Sequence, residues 1–133
     1  MAAKAHRDLY LREVWPNGLQ EKIVGLKERD LDAIEFAVRF LEEDPWFFRS
    51  GYLKEEIVQR LGQCPRSSLQ DERLRTVVLQ RCEGPTRREF RRYCRLARRL
   101  KAPHFEEALN KLTQASSPRT VRHASWVLEA IPK

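Results

Sequence analysis

The sequence predicts an all-α fold of stacked antiparallel helix pairs, and three observations carry that expectation. Apolar residues recur at helical spacing in every long segment, and no stretch alternates at period two for long enough to make a strand. Proline, glycine, serine and aspartate punctuate the chain at the ends of these segments. Helix starts fall near residues 30, 51, 67, 86, 103 and 117, so starts taken two apart are separated by 37, 35, 36 and 31 residues. A period of about 35 residues holding two helices is the signature of an α-solenoid. An irregular helical bundle is the alternative, since its helices recur at similar distances.

Ala3 to Val14 offers a short first helix, stopped by Pro16, Asn17 and Gly18. Leu19, Ile23, Val24 and Leu26 mark a second, and residues 1–29 together read as N-terminal helices that cap the rest. Asp30 is the expected cap of a third, with Ile34, Ala37, Val38 and Leu41 on its apolar face. Pro45 ends it, and Trp46, Phe47 and Phe48 are expected to plug the junction that follows.

Ser50 or Gly51 begins the fourth helix, carrying Leu53, Ile57 and Leu61, with Gly62 as its C-terminal cap. Ser67 or Ser68 caps the fifth, whose face is Leu74, Val77, Val78 and Cys82. After Gly84-Pro85, Thr86 and Glu89 match a capping box, in which each side chain satisfies the other's free backbone donor. That box opens a sixth helix running to about residue 101. Pro103 opens the seventh, and Ser117 followed by Pro118 opens the last, with Val121, Ala124, Leu128 and Ile131 as its apolar positions.

Residues 108–131, ALNKLTQASSPRTVRHASWVLEAI, have the form of a helix, a short Ser/Pro turn and a helix with Val-Arg-x-x-Ala near its start. Phe90-Arg91, Ala97 and Leu100 align without gaps on Val121-Arg122, Leu128 and Ile131, each set preceded by a proline. In this respect the chain resembles HEAT or armadillo repeats over residues 30–131, as about three helix pairs. The resemblance implies a short α-solenoid whose second helices line a groove.

With 133 residues, 41% hydrophobic and 34% charged, the chain suits one domain of residues 1–133 and fits neither a disordered tail nor a membrane protein. No apolar run approaches the roughly 20 residues of a membrane span, and the first residues lack the apolar stretch of a secretory signal. Three cysteines, an odd number, fit a reducing compartment, so a cytoplasmic or nuclear location is expected. Cys82 and Cys94 read as small core residues. Cys82, Cys94, His104 and His123 match no zinc spacing, so neither a metal nor a cofactor is expected.

Charge is the most informative pattern. Residues 1–84 carry net −1, residues 85–101 net +7 and residues 102–133 net +1. On a continuous helix Arg87, Arg88, Arg91, Arg92, Arg95, Arg98 and Arg99 share an arc of about 140° beside the apolar face. Like charges three and four apart oppose helix formation by a few tenths of a kcal/mol each, so the run needs compensation or a use. Compensation would come from carboxylates such as Glu42, Glu43, Asp44, Glu55, Glu56, Glu106 or Glu107 on neighbouring helices. The use would be an anionic partner, since guanidinium forks suit carboxylates and phosphates.

The expected binding residues are therefore Arg88, Arg91, Arg92, Arg95, Arg98 and Arg99, with an acidic protein segment as partner. RNA or DNA is the alternative. Membrane binding is not expected, because the apolar side of the basic helix is needed for the core. A third reading makes the chain a subunit of a larger assembly, with Trp15, Trp46, Phe47, Phe48 or Trp126 as an apolar contact. No nucleotide-binding loop or hydrolase motif occurs, and His6, His104 and His123 read as surface or helix-end residues. A binding role rather than catalysis is expected.

Overall fold

The computed structural model describes residues 21–46 and 50–133. Its elements are α1, the helical residues 21–27, followed by α2 (Leu31–Glu43), α3 (Ser50–Leu61), α4 (Ser68–Glu83), α5 (Phe90–Ala97), α6 (Pro103–Leu112) and α7 (Pro118–Ala130). No strand occurs among the described residues. The helix expected at residues 3–14, and Phe47 and Phe48, lie outside the described residues. Among those described, no helix is long and apolar enough to cross a membrane.

Local chemistry accounts for most of the helix starts. Asp30 accepts a bond from the Ala33 N–H at 3.0 Å and opens α2. Ser67 opens α4 through a full capping box with Gln70. Ser117 caps α7 and Pro118 takes its first position, where the missing N–H costs nothing. Helix α2 ends on Asp44 in the left-handed conformation, φ 53°, its N–H donating to the Phe40 carbonyl at 2.9 Å. Asp is one of the few non-glycine residues that tolerate this turn.

The helices pack in two layers. On one side α2 lies against α4 and α4 against α6; on the other α3 lies against α5 and α5 against α7. Contacts of α2 with α3, α4 with α5 and α6 with α7 join the layers. Neighbours within a layer run in the same direction. Glu55 meets Arg88 near the starts of α3 and α5, and Gly62 meets Leu96 near their ends. Between α2 and α4, Glu35 meets Arg73 and the Leu41 carbonyl meets Arg81. The core between the layers is aliphatic and aromatic, with Ile34, Phe40, Leu41, Ile57, Leu74, Tyr93 and Leu109 fully enclosed.

Four local expectations change. The capping box at Thr86 and Glu89 does not form: Glu89 is the N-cap of α5 without a side-chain cap bond, and the Thr86 hydroxyl binds His123 instead. As a result α5 spans eight residues rather than beginning at residue 86. Gly62 does follow α3, but no glycine among those described has positive φ. Trp46 plugs nothing described; its side chain is 85% exposed. His123, expected at the surface, is fully buried. Its Nδ1 lies 2.9 Å from the Cys82 carbonyl, its Nε2 2.7 Å from Thr86 Oγ1, and its ring packs 4.4 Å from that of Phe90. A carbonyl only accepts, so Nδ1 carries the proton and Nε2 accepts from the hydroxyl.

Candidate anion-binding groove

The arginine run divides into two groups, and the division follows the carboxylates within reach. Arg87 turns toward Asp44, 2.6 Å from Nη1 to Oδ1, and lies 3.7 Å from the buried Glu89 carboxylate. Arg88 lies 3.4 Å from Glu55 and stacks over the Tyr52 ring, its guanidinium carbon 3.9 Å from the centroid. These two residues precede α5 and tie its start to α2 and α3.

Asp44 is the centre of that anchor. Besides Arg87 it receives the Lys54 ammonium at 2.8 Å and faces Arg81 at 3.6 Å. Burial opposes its ionisation, yet the bonds from Arg87 and Lys54 outweigh burial and hold the carboxyl below the usual aspartate range. Lys54 is 3% exposed, so this ion pair lies inside the fold. Burial likewise pushes the Cys82 thiol up to about 12 and that of Cys94 to about 11. Cys82 is fully buried and Cys94 half-buried, as core residues.

Arg91, Arg92, Arg95, Arg98 and Arg99 have no ion pair among the described residues. Arg91, Arg95, Arg98 and Arg99 are exposed and Arg92 is half-buried. Part of their mutual repulsion is offset locally. The carbonyl end of a helix carries partial negative charge, and cations there contribute a favourable 0.3–1 kcal/mol or so each. Arg95 lies in the last turn of α5 and Arg98 is its C-cap.

Four of the five converge on one groove. A depression of about 500 Å³ runs between the ends of α3 and α5 and is lined by Val58, Gln59, Gly62 and Gln63 on the α3 side, Arg92, Arg95, Leu96, Arg98 and Arg99 on the α5 side, and Pro132. Val58 and Leu96 are buried and give it an apolar floor. Gln59 and Gln63 are the uncharged polar residues of the α3 side. Gly62 lies against Leu96: a Cβ there would stand 3.8 Å from Leu96 Cδ1, at ordinary van der Waals contact. No carboxylate belongs to the lining.

Of the sequence-expected binding residues, Arg92, Arg95, Arg98 and Arg99 line the groove, Arg91 lies outside it, and Arg88 belongs to the anchor. Sequence reasoning missed the opposite wall, Gln59, Gly62 and Gln63, although these residues stand about 33 positions before their α5 neighbours. Among the described residues no cluster of His, Cys, Asp or Glu has the makings of a metal site. Comparison with family models, with curated proteins and with solved structures finds no match to this chain.

Proposed function

We propose that the chain is a binding module of stacked helix pairs, of HEAT or armadillo type, whose groove engages an acidic segment of a partner protein. One observation carries the functional reading: four arginines line a single groove to which no acidic residue contributes. A charged cluster of this kind lacks neutralisation within the described chain, and an acidic ligand supplies it through paired, charge-assisted bonds. The repeat reading is supported by the two layers and by the same-direction neighbours at offsets near the expected 35-residue period.

The reading implies binding rather than catalysis. Arginine, glutamine and aliphatic side chains line the groove, and these offer neither a nucleophile nor a group that exchanges protons near neutral pH. RNA or DNA is the competing ligand. The lining offers no aromatic ring on which a base could stack, which favours the protein segment.

The test is fluorescence anisotropy of a labelled acidic peptide, single-stranded RNA and duplex DNA, each titrated at low and near-physiological salt. Two variants accompany it. Arg95→Glu with Arg99→Glu reverses charge, and Gly62→Leu occludes the groove without altering charge. The peptide is expected to bind and both variants to abolish binding. RNA binding through four phosphates would instead show a log–log salt slope of about −2.8 and favour the alternative. No peptide binding at low salt, where screening is weakest, overturns the proposal.

A further inference from the structure

Unpaired basic residues continue beyond the groove onto α7, and the inference drawn from them rests on the acidic-segment reading. Arg91 stands one helical turn before Arg95, which lines the groove, so the two are neighbours on the surface of α5. Helix α5 lies against α7, and Phe90, next to Arg91, packs against Trp126 with ring centroids 6.1 Å apart. On α7 the exposed residues Arg119, Arg122, Trp126 and Glu129 follow at spacings of three, four and three. At 100° per residue they fall within an arc of about 80°, one stripe of the helix. Arg91 and Glu129 both act on the charge of the Cys94 thiol, so this stripe lies beside α5.

Trp126 is 40% exposed, and the rings that support it are fixed. Its ring stands 5.8 Å from that of His123 and meets Phe90 edge-on, at 61°. Phe90 is buried, and His123 is fully buried with both ring nitrogens bonded. An aromatic side chain held in this way loses little freedom when a ligand covers it, which is the property of an interface anchor.

The surroundings of Trp126 select the ligand. Arg91, Arg119 and Arg122 are exposed and have no ion pair among the described residues, against the single acid Glu129. The stripe is therefore basic on one side of the tryptophan and acidic on the other. A nucleic acid carries a charge at every unit and would bring one against Glu129. A peptide can set its acids toward the arginines and neutral residues toward Glu129, where backbone N–H groups donate to the carboxylate. From this order of charge and the exposed, supported ring we infer that the acidic segment continues from the groove across Arg91 to α7. There it meets Arg122 with an acid and covers Trp126 with an apolar side chain.

The experiment uses the full chain in fluorescence anisotropy with three labelled peptides of one scaffold. One carries a leucine after an acidic run, one a leucine before it, and one a serine in place of the leucine. Single-stranded RNA is the fourth probe. One of the leucine peptides is expected to bind at least about fivefold more tightly than the serine peptide, a difference of about 1 kcal/mol. Trp126→Ala should remove that difference and leave the serine peptide unchanged. Arg122→Glu should weaken all three peptides more than Lys111→Glu, which changes net charge equally at an exposed site on α6. Circular dichroism checks that the variants remain helical, and Arg122→Glu, at an exposed position, carries the test if Trp126→Ala does not fold.

Equal binding of leucine and serine peptides by the wild-type chain overturns the Trp126 anchor and leaves the acidic-segment reading standing. An Arg122→Glu effect no larger than that of Lys111→Glu overturns the extension onto α7. Absence of binding by all three peptides at low salt overturns both readings. RNA that binds more tightly than every peptide and is weakened by Trp126→Ala shows a base on the ring, and the peptide inference fails.

Discussion

Replacing Asp44 with Asn isolates the charge at the centre of the α5 anchor. Asn has nearly the same shape and also tolerates the left-handed conformation at φ 53°, so the backbone turn is retained. What is lost is the negative charge facing Lys54 at 2.8 Å, Arg87 at 2.6 Å and Arg81 at 3.6 Å. Arg87 is partly exposed and can turn to water, whereas Lys54 is 3% exposed and cannot. Breaking a buried ion pair from one side costs about 3–5 kcal/mol. The amide oxygen of Asn still accepts one bond from Lys54, which sets the expectation at the lower end, about 3 kcal/mol. For a chain of this size that corresponds to a fall in melting temperature of about 12 °C.

Urea denaturation followed by far-ultraviolet circular dichroism measures the loss directly. Adding Lys54→Met to Asp44→Asn removes the stranded ammonium, keeps the aliphatic stem and should recover half or more of it. The pH dependence provides a second readout. The Asp44 carboxyl titrates lower in the folded than in the unfolded chain, so its contribution is fully present above the unfolded value near pH 3.9 and is lost as pH falls through the folded one. The gap between wild type and Asp44→Asn should therefore narrow below about pH 4. A variant within about 0.5 kcal/mol of wild type at pH 7, or a gap unchanged between pH 6 and pH 3, would refute the buried-anchor account.

Two further outcomes are expected. Gly25→Ala should destabilise the fold by about 1–3 kcal/mol in the same urea assay, despite the helix propensity of alanine, because the added Cβ would stand 2.8 Å from that of Ala33; a stabilised variant would show that α1 and α2 separate freely. Gln59→Glu with Gln63→Glu should place carboxylates opposite the free arginines, leaving stability equal or slightly raised and abolishing peptide binding. Retained binding would mean that the anion does not enter between α3 and α5.

The sequence carried the helices well where a start is written in adjacent residues. Asp30, Ser67 and Ser117 each cap the helix expected of them because a cap is a contact across two or three positions. Thr86 and Glu89 carry the same local pattern and form no cap. The Thr86 hydroxyl is claimed by His123, 37 positions away, and Glu89 is buried beside Arg87. A competition between a local and a distant partner is settled by packing, which residue spacing does not express. The last helix shows a related effect. Its buried positions include Thr120 and His123, while Val121 and Leu128, taken from the apolar pattern, are only half-buried. Because His123 satisfies both ring nitrogens inside the fold, a polar residue occupies a core position that hydrophobic periodicity assigns to an apolar one.

The arginine run was legible as charge but not as a site, and the distinction lies in what stands across from it. Laid alongside in the same direction, α3 offers Glu55 to Arg88, and further along its Gln59, with Gly62 and Gln63 beyond it, lines the groove together with Arg92, Arg95, Leu96, Arg98 and Arg99. Beyond Glu56, α3 carries no acid. Asp44 and Glu55 pair with Arg87 and Arg88 and so neutralise the start of the run. Helix position alone assigns all seven arginines to one arc; the carboxylates within reach, Asp44 for Arg87 and Glu55 for Arg88, separate the paired arginines from the rest.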